Sequence, residues 1–286
     1  LWHVIPFVGK MNFPASLLAW DIIVLNGYLA INLFISFYAL YQMAHNREYS
    51  LKIIMPLIIL SIPWAVSIHT VTAFLFNGLS ARPFWNASIL APRFLASAFC
   101  SGPAVMMIIF QIVRKVSKIE IDNKAIFKIA ELVAYAMGIN LFLLAAEFFK
   151  EFYSGSIHLA PMKYLYFGLH GHNALVPWMW TAMIFNITAF FLFLRPQTRE
   201  NLLTLNIACV LIIIGVYIEK GMGLSIPGFV PGTLGEIYEY GPSGIEQGVT
   251  IGIWAIGAMF FTMFLKFALP IYTGKLRFKA PGSGAK

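Results

Sequence analysis

The chain is dominated by long apolar runs separated by short polar segments. Seven runs approach the ~20 residues that a helix needs to cross the hydrocarbon core of a membrane. They lie at about 16–42, 53–76, 88–113, 125–149, 175–194, 201–218 and 248–270. The alternation of apolar and polar residues that marks a membrane β-barrel is absent. Because backbone groups in lipid must be satisfied within the segment, the pattern predicts an all-α polytopic transmembrane bundle.

The composition agrees with a membrane protein and excludes an ordinary soluble domain. Hydrophobic residues make up 59% of the chain, charged residues 11%, and the mean hydropathy is +0.77, whereas soluble domains carry about 25% charged residues. Cys100 and Cys209 lie within spans, so we expect neither a disulfide nor an iron–sulfur cluster, which usually takes about four cysteines. The chain starts at Leu1, in mid-pattern and without a targeting segment, which indicates part of a longer protein.

Basic residues are distributed unequally between the two sides of the predicted bundle. Six of the 20 Lys and Arg residues fall on one side and the remaining 14 on the other, which the positive-inside rule assigns to the cytoplasm. Topology thus explains the net charge of +8, and no nucleic-acid partner is predicted. We expect a transmembrane domain at 1–273, with an outer loop at 219–247, and a basic cytoplasmic tail at 274–286 in the cell membrane.

Most ionisable residues within apolar sequence fall toward the outer side of the bilayer. Charge inside hydrocarbon costs ~3 kcal/mol or more per group near the centre. A cluster at one depth, supplied by several helices, therefore indicates a built polar site. Its members are Asp21, His69, Arg93, Glu147, His170 and Glu219.

The first two spans carry candidates for proton exchange. Asp21 shares a helical face with Tyr28, although its place ~7 Å inside the apolar run also suits a helix start that reaches water by snorkelling. His69, ~10 Å from the outer end, is accompanied by Ser67 and Thr72. It is either a satisfied core histidine or, as the neighbouring hydroxyls favour, a proton acceptor.

The third and fourth spans add an arginine and an acid. Arg93 follows a loop that contains Trp85. It can pair with headgroups, compensate Asp21, or hold an anionic or carbonyl oxygen. Glu147 shares a helical face with Asn140.

The polar residues near the fifth and sixth spans have a structural interpretation as well as a functional one. His170 and His172 precede the fifth span and are expected first as outer-surface groups. Glu219 and Lys220 end the sixth span as adjacent opposite charges, which suit an interface as readily as a functional site.

The polar residues favour a quinone site over other membrane functions. A b-type cytochrome needs a pair of axial ligands across the bundle at each haem, and only His69 lies deep. A secondary transporter often shows two similar halves, which this sequence does not. A quinone site needs an apolar slot, aromatic walls and a few groups that bond the ring oxygens and exchange protons. Twelve Tyr, 26 Phe and seven Trp supply the walls.

Four stretches carry a more specific signal. They are 21–28 (DIIVLNGY), 67–74 (SIHTVTAF), 82–93 with its RPFWN and APR elements, and 168–172 (GLHGH). Together they resemble the NrfD/polysulfide-reductase family of membrane subunits over roughly residues 15–265, and within it the DsrP-type subunits of DsrMKJOP complexes.

The resemblance implies a haem-free subunit that binds menaquinol or menaquinone near the outer face, with about ten spans in all, three of them before Leu1. It implies electron exchange with an outward-facing iron–sulfur subunit in sulfite or sulfate respiration. A c-type cytochrome, a haem b membrane subunit and a cytoplasmic heterodisulfide-reductase-like subunit would complete the complex. The family often has a tyrosine in the span before RPxWN, where this chain has His69 and Val71; the proton-exchanging role is therefore transferred to His69.

The resulting hypothesis is a subunit of a menaquinol-linked oxidoreductase rather than a self-sufficient enzyme. Quinol enters from lipid, His69 or Asp21 accepts a ring-hydroxyl proton, and Arg93 tunes the acid. No metal site is predicted. The alternatives are a membrane anchor without quinone chemistry and a proton or solute transporter. The predicted cofactor-binding residues are Arg93, Tyr28, Ser67, Thr72, Trp85, Glu147 and His170.

Overall fold

The structure is a computed structural model that describes residues 9–117, 119–156, 159–232 and 235–278. The described residues form an all-helical fold, as predicted, and seven helical stretches are long and apolar enough to cross a membrane. The helices are α1 (Leu17–Ala44), α2 (Leu51–Asn77), α3 (Leu90–Ser117), α4 (Asn123–Ser154), α5 (Leu159–Tyr166), α6 (Val176–Leu194), α7 (Pro196–Arg199), α8 (Leu202–Tyr217), a π-helix (Ile218–Met222), α9 (Gly223–Ser225), a 3₁₀ turn (Pro227–Phe229) and α10 (Gly244–Tyr272).

The sixth span differs most from its predicted bounds. The sequence pattern ends it at 218, where Glu219 and Lys220 interrupt the apolar run, but the helical stretch continues through the π-helix to Phe229. The reason is that both charges have partners inside the fold, so they need not reach water. The first part of the predicted outer loop is therefore helical. Of the predicted tail, residues 279–286 lie outside the described residues.

The chain divides into two compact units, and the boundary between them falls within α2. The first unit comprises Leu1–Ile68 and Gly241–Lys286, and in it α1 packs against α10. Within this unit the indole N–H of Trp64 donates to the carbonyl of Val24 at 2.8 Å. Gly27 allows this approach, because a Cβ there would overlap the Trp64 ring.

The second unit, His69–Tyr240, contains a four-helix bundle. Its helices follow each other around the bundle in the order α3, α4, α6, α8, and each packs on two neighbours. The bundle core is apolar and tightly closed, with fully buried Met107, Met137, Phe193 and Ile212. One reciprocal amide pair crosses it, since Gln111 on α3 and Asn206 on α8 exchange hydrogen bonds of 2.7 and 3.0 Å.

A second apolar core closes the end of this bundle where α2 leads into α3. Trp85, in the connecting loop, donates its indole N–H to the carbonyl of Leu224 at 2.8 Å. Its ring packs edge-on against Phe76 and Phe229. The loop is thereby attached to the segment that contains Leu224. This segment directly follows the π-helix, and the π-helix carries Glu219.

Candidate functional site: a buried ion network

The site is centred on Arg93, whose guanidinium lies inside the four-helix bundle. Its Nη1 donates to Glu147 Oε2 and its Nη2 donates to Glu219 Oε1 at 2.7 Å. The side chains of Arg93, Glu147 and Glu219 are only 9%, 7% and 3% exposed. Burial of charges at this depth is tolerated only when they are paired.

Two further residues complete the network around Glu219. Asn186 Nδ2 donates to Glu219 Oε2 at 3.0 Å, and Lys220 Nζ donates to Glu219 Oε1 at 2.9 Å. Arg93, Glu147, Asn186 and Glu219 come from α3, α4, α6 and the π-helix that continues α8. Each of the four bundle elements thus contributes a side chain, and the π-helix contributes Lys220 as a second. The two carboxylates and the two cationic side chains, Arg93 and Lys220, balance, so the network has no net formal charge.

Local backbone features explain how these side chains meet. The wider π turn at Ile218–Met222 carries both Glu219 and Lys220, and such turns are frequent at functional sites. Gly215, one turn earlier, leaves room for Asn186, because a Cβ at 215 would overlap the Asn186 amide. The chain therefore supports the network through helix geometry as well as charge.

Some polar atoms of this region lack a partner among the described protein atoms. They are Arg93 Nε, Asn186 Oδ1 and both amide atoms of Asn140, one of the most deeply buried residues. A cavity of about 20 Å³ lies beside Arg93, Glu219 and Lys220. That volume suits roughly one water molecule and is far too small for an aromatic ring.

Tyr166 lies between the ion network and an apolar cleft. Its side chain lines the small cavity with Arg93 and Glu219, and its ring packs edge-on against Phe148 and Trp180. Burial, followed by the nearby Glu219 carboxylate, raises the pKa of Tyr166, whereas Arg93 lowers it. The phenol therefore stays protonated at neutral pH.

The apolar cleft beside Tyr166 is open and, at about 790 Å³, much larger than the cavity next to the ion network. It lies between α4 and α6, and its walls include Phe148, Phe152 and Trp180. The indole N–H of Trp180 is already donated to the Tyr166 carbonyl at 2.9 Å. Apart from the Tyr153 hydroxyl the lining is apolar, so it suits an apolar chain better than a ring with two carbonyl oxygens, which needs hydrogen-bond donors.

The predicted residues of the second unit occupy several kinds of position in the structure. Arg93 and Glu147 are brought together in the network. His69 and Thr72 are half-buried on α2, and His69 is not among the residues that line the 20 Å³ cavity. Trp85 is buried with its N–H in use.

His170 is exposed at a turn with a φ of 49°, beside the short bridge between Leu169 and His172. The neighbouring His172 has Nδ1 3.8 Å from Glu239 Oε2. Both histidines are therefore surface groups, the first of the two interpretations that the sequence allows.

The remaining predicted residues, Asp21, Tyr28 and Ser67, belong to the first unit. Asp21 and Tyr28 are half-buried on α1. Ser67 Oγ donates to the carbonyl of Trp64 at 2.6 Å, so its hydroxyl proton is used within its own helix.

Part of this site does not follow from the sequence pattern. Glu219 belongs to the predicted cluster, although its charge and that of Lys220 suit an interface equally well, but nothing in the predicted cluster points to Asn186 or to the neighbouring Tyr166. A signal for Asn186 does exist, since it is an amide in the middle of an apolar span. The partners of Arg93 cannot be read from the chain, because Glu147 and Glu219 are 54 and 126 residues away.

Comparison with known proteins decides the family. Residues 1–224 match the family described as "Polysulphide reductase, NrfD". The chain belongs to the NrfD family. This confirms the resemblance to the NrfD family at the level of the family, and the seven apolar helices identify a multi-pass membrane protein.

The chain is also similar to curated proteins, including the following two. One is the "Hdr-like menaquinol oxidoreductase integral membrane subunit" of Archaeoglobus fulgidus, 27% identical, with 94% of this chain and 69% of the relative covered. Another is a selenate reductase subunit of Mesobacillus selenatarsenatis, 24% identical, with 81% and 55% covered. The match to this second relative spans little more than half of its length.

Proposed function

We propose that the chain is the quinone-interacting membrane subunit of a respiratory oxidoreductase complex, which oxidises menaquinol or reduces menaquinone near the outer face. The observation that carries this proposal is the ion network of Arg93, Glu147, Asn186, Glu219 and Lys220, buried in a membrane bundle of an NrfD protein. Buried ionisable groups in a membrane are costly, so a functional site is the first hypothesis for them. The name of the Archaeoglobus relative supports menaquinol as the substrate.

The network fits proton handling rather than direct contact with the quinone ring. Arg93 and Lys220 compensate the charge of Glu147 and Glu219. Glu219 already accepts from three donors, so Glu147 is the proposed proton-accepting carboxylate of the pair. The adjoining space of about 20 Å³ takes a water but no ring. We therefore propose an indirect role for Arg93 and Glu147. They would form a charge-balanced pair that accepts a proton without contacting the quinone ring.

The proton acceptor next to the ring is proposed to be His69, as the sequence predicts. Its imidazole is half-buried on the outer part of α2, and histidine is the side chain that titrates in the range that proton transfer requires. Asp21, on the first unit, is the other proposed acceptor and is tested separately. Quinol oxidation releases two electrons and two protons, so the electrons pass to an iron–sulfur cluster on a partner subunit, while the protons leave toward the outside.

Within the NrfD family, we propose more specifically that the chain is a DsrP-type subunit that acts in sulfite or sulfate respiration. The proposed partners are the iron–sulfur subunit, a c-type cytochrome, a haem b membrane subunit and a heterodisulfide-reductase-like subunit. This assignment rests on the sequence resemblance, and the partners co-purified with the chain would test it.

The function is tested by substituting His69 in the assembled complex. We expect His69→Ala to lower the reduction of partner iron–sulfur clusters by a short-chain menaquinol at least tenfold, since acid–base groups contribute about 10²–10⁴ in rate. Cluster reduction is followed by electron paramagnetic resonance. His172→Ala, which removes a surface imidazole, is the matched control and should leave the rate unchanged.

Unchanged cluster reduction in His69→Ala would remove His69 from the site and leave Asp21→Asn as the next variant. A membrane anchor without quinone chemistry would show no response to quinone-site inhibitors, and no quinone would be extracted with it. Solute flux into liposomes without redox partners would instead indicate a transporter.

A further inference from the structure

A basic, concave surface lies in the first unit, remote in sequence from the ion network. It forms where the turn between α1 and α2 meets the chain after α10. A cavity of about 550 Å³ opens there, lined by turn residues 46–49 and by Arg277. We call it the basic turn surface.

Several contacts fix the segment after α10 against the turn. The backbone N–H of Phe278 donates to the carbonyl of Ala44 at 2.9 Å, and Arg277 Nη1 donates to the carbonyl of Met43. The ring of Phe278 lies 5.5 Å from that of His45. Arg277 is therefore held at the end of α1 and lines the same cavity as Arg47, rather than being carried on a loose end.

The groups that line this surface suit an anionic oxygen ligand. Two guanidinium groups, on Arg47 and Arg277, present planar forks of N–H donors that match phosphate geometry. Asn46 and Tyr49, which also line the cavity, carry neutral donors. Glu48 is the one acid of the described lining and leaves a net positive charge.

The first turn of α2 strengthens this preference for anions. α2 is a 27-residue helix that begins at Leu51, itself part of the cavity wall. The N–H groups at the start of a helix carry partial positive charge. Lys52, in the same turn, adds a further cation.

The surroundings indicate a lipid rather than a soluble anion. Apolar side chains beside the cavity are strongly exposed, with Leu51 60%, Tyr41 58% and Phe278 53% accessible. They continue into the apolar surfaces of α1, α2 and α10, where acyl chains would lie. The distribution of basic residues assigns this side to the cytoplasmic leaflet, which carries the anionic lipids.

We propose that the basic turn surface binds the phosphodiester group of an anionic phospholipid, with Arg47 and Arg277 as its two charged partners. The lipid would join the end of α1, the start of α2 and the segment after α10 at the membrane surface. This inference is independent of the quinone proposal, because it uses other residues and needs no redox chemistry.

The test is native mass spectrometry of the purified complex in detergent, titrated with phosphatidylglycerol or phosphatidylcholine. We expect phosphatidylglycerol to bind in preference, and Arg47→Gln and Arg277→Gln each to lower its apparent affinity roughly tenfold, the usual effect of losing one charge-assisted hydrogen bond. Lys115→Gln is the matched control, because it removes an exposed charge from the same predicted face outside the cavity.

Equal loss of affinity in Lys115→Gln and Arg47→Gln would overturn the proposal, since it would show attraction to the face in general. Equal binding of both lipids would overturn it too. Displacement of the lipid by millimolar inorganic phosphate would identify a soluble-anion site instead, whereas lipid retention under phosphate supports the proposal. Arg47→Gln keeps the test decisive if Arg277→Gln disturbs the chain that Arg277 holds to Met43.

Discussion

At the scale of single residues, Arg93 determines whether the bundle interior is electrically balanced. It contacts two carboxylates at once, one through each terminal nitrogen. A lysine has a single ammonium on a flexible stem and cannot reproduce this planar bridge. The residue is therefore needed for its shape as well as its charge.

We predict that Arg93→Met destabilises the protein by about 3–5 kcal/mol, because Glu147 and Glu219 would remain buried with incomplete compensation. Arg93→Lys should recover only part of this loss. Thermal unfolding of the purified complex measures both effects.

Lys128→Met is the control for Arg93→Met. Lys128 pairs with Glu131 at 3.0 Å, but both side chains are reached by solvent, and such pairs add little to stability. An unfolding temperature lowered equally by both substitutions would show that the Arg93 network is no more important than a surface pair.

At the scale of elements, the close contact of α6 with α8 places Asn186 against Glu219. This contact depends on Gly215, which has no side chain to separate the two helices at that level. The following π turn then brings Glu219 to the Asn186 amide. The network is thus a product of helix approach and helix irregularity together.

We predict that Gly215→Ala destabilises the protein by about 1–3 kcal/mol, because the added methyl overlaps the Asn186 side chain and displaces it from Glu219. Gly257→Ala is the matched control: no described atom lies within 4 Å of a Cβ there, and an alanine within a helix should stabilise by up to ~1 kcal/mol. Opposite shifts in unfolding temperature are expected, and equal shifts would contradict the packing argument.

At the scale of the whole molecule, the unequal distribution of basic residues remains the guide to orientation. The loop before α3 carries few basic residues, whereas the last turns of α3 carry Arg114 and Lys115, and the first turn of α4 carries Lys124. Both cysteines are buried in the bundle core, so a cysteine introduced at the surface can be labelled selectively.

We predict that Ser80→Cys reacts with a membrane-impermeant maleimide in intact cells, and that Glu120→Cys reacts only after the membrane is opened. Both positions are exposed in connections at opposite ends of α3. Gel-shift labelling measures the reaction. The reverse pattern would place the C-terminus outside and invert the proposed topology.

Much of the fold follows from the sequence, because crossing a membrane constrains helix length and polarity strongly. All seven spans appear where the apolar runs predict them, apart from the extension past Ile218. The pattern failed there because hydropathy counts Glu219 and Lys220 as exposed charges, whereas the fold pairs them internally.

The site was harder to predict than the spans. Sequence placed Arg93, Glu147 and Glu219 at one depth, and the structure brings these three together. Which acid pairs with which base depends on helix neighbours and rotation, and neither is encoded by local periodicity. The contributions of Asp21 and His69 to quinol chemistry stay predictions, which the Asp21→Asn and His69→Ala variants test.

The π turn at Ile218–Met222 has a consequence for comparing homologues. A turn of this kind holds one more peptide unit than a regular helical turn, so it corresponds to a single inserted residue. Relatives that lack the insertion would align with a one-position gap there. Because the wide turn absorbs the extra residue, the helix on either side keeps its faces and only the positions within the turn are displaced. In such relatives the residue that points at Asn186 at this level need not be an acid, so their interior chemistry should not be assumed to match this chain.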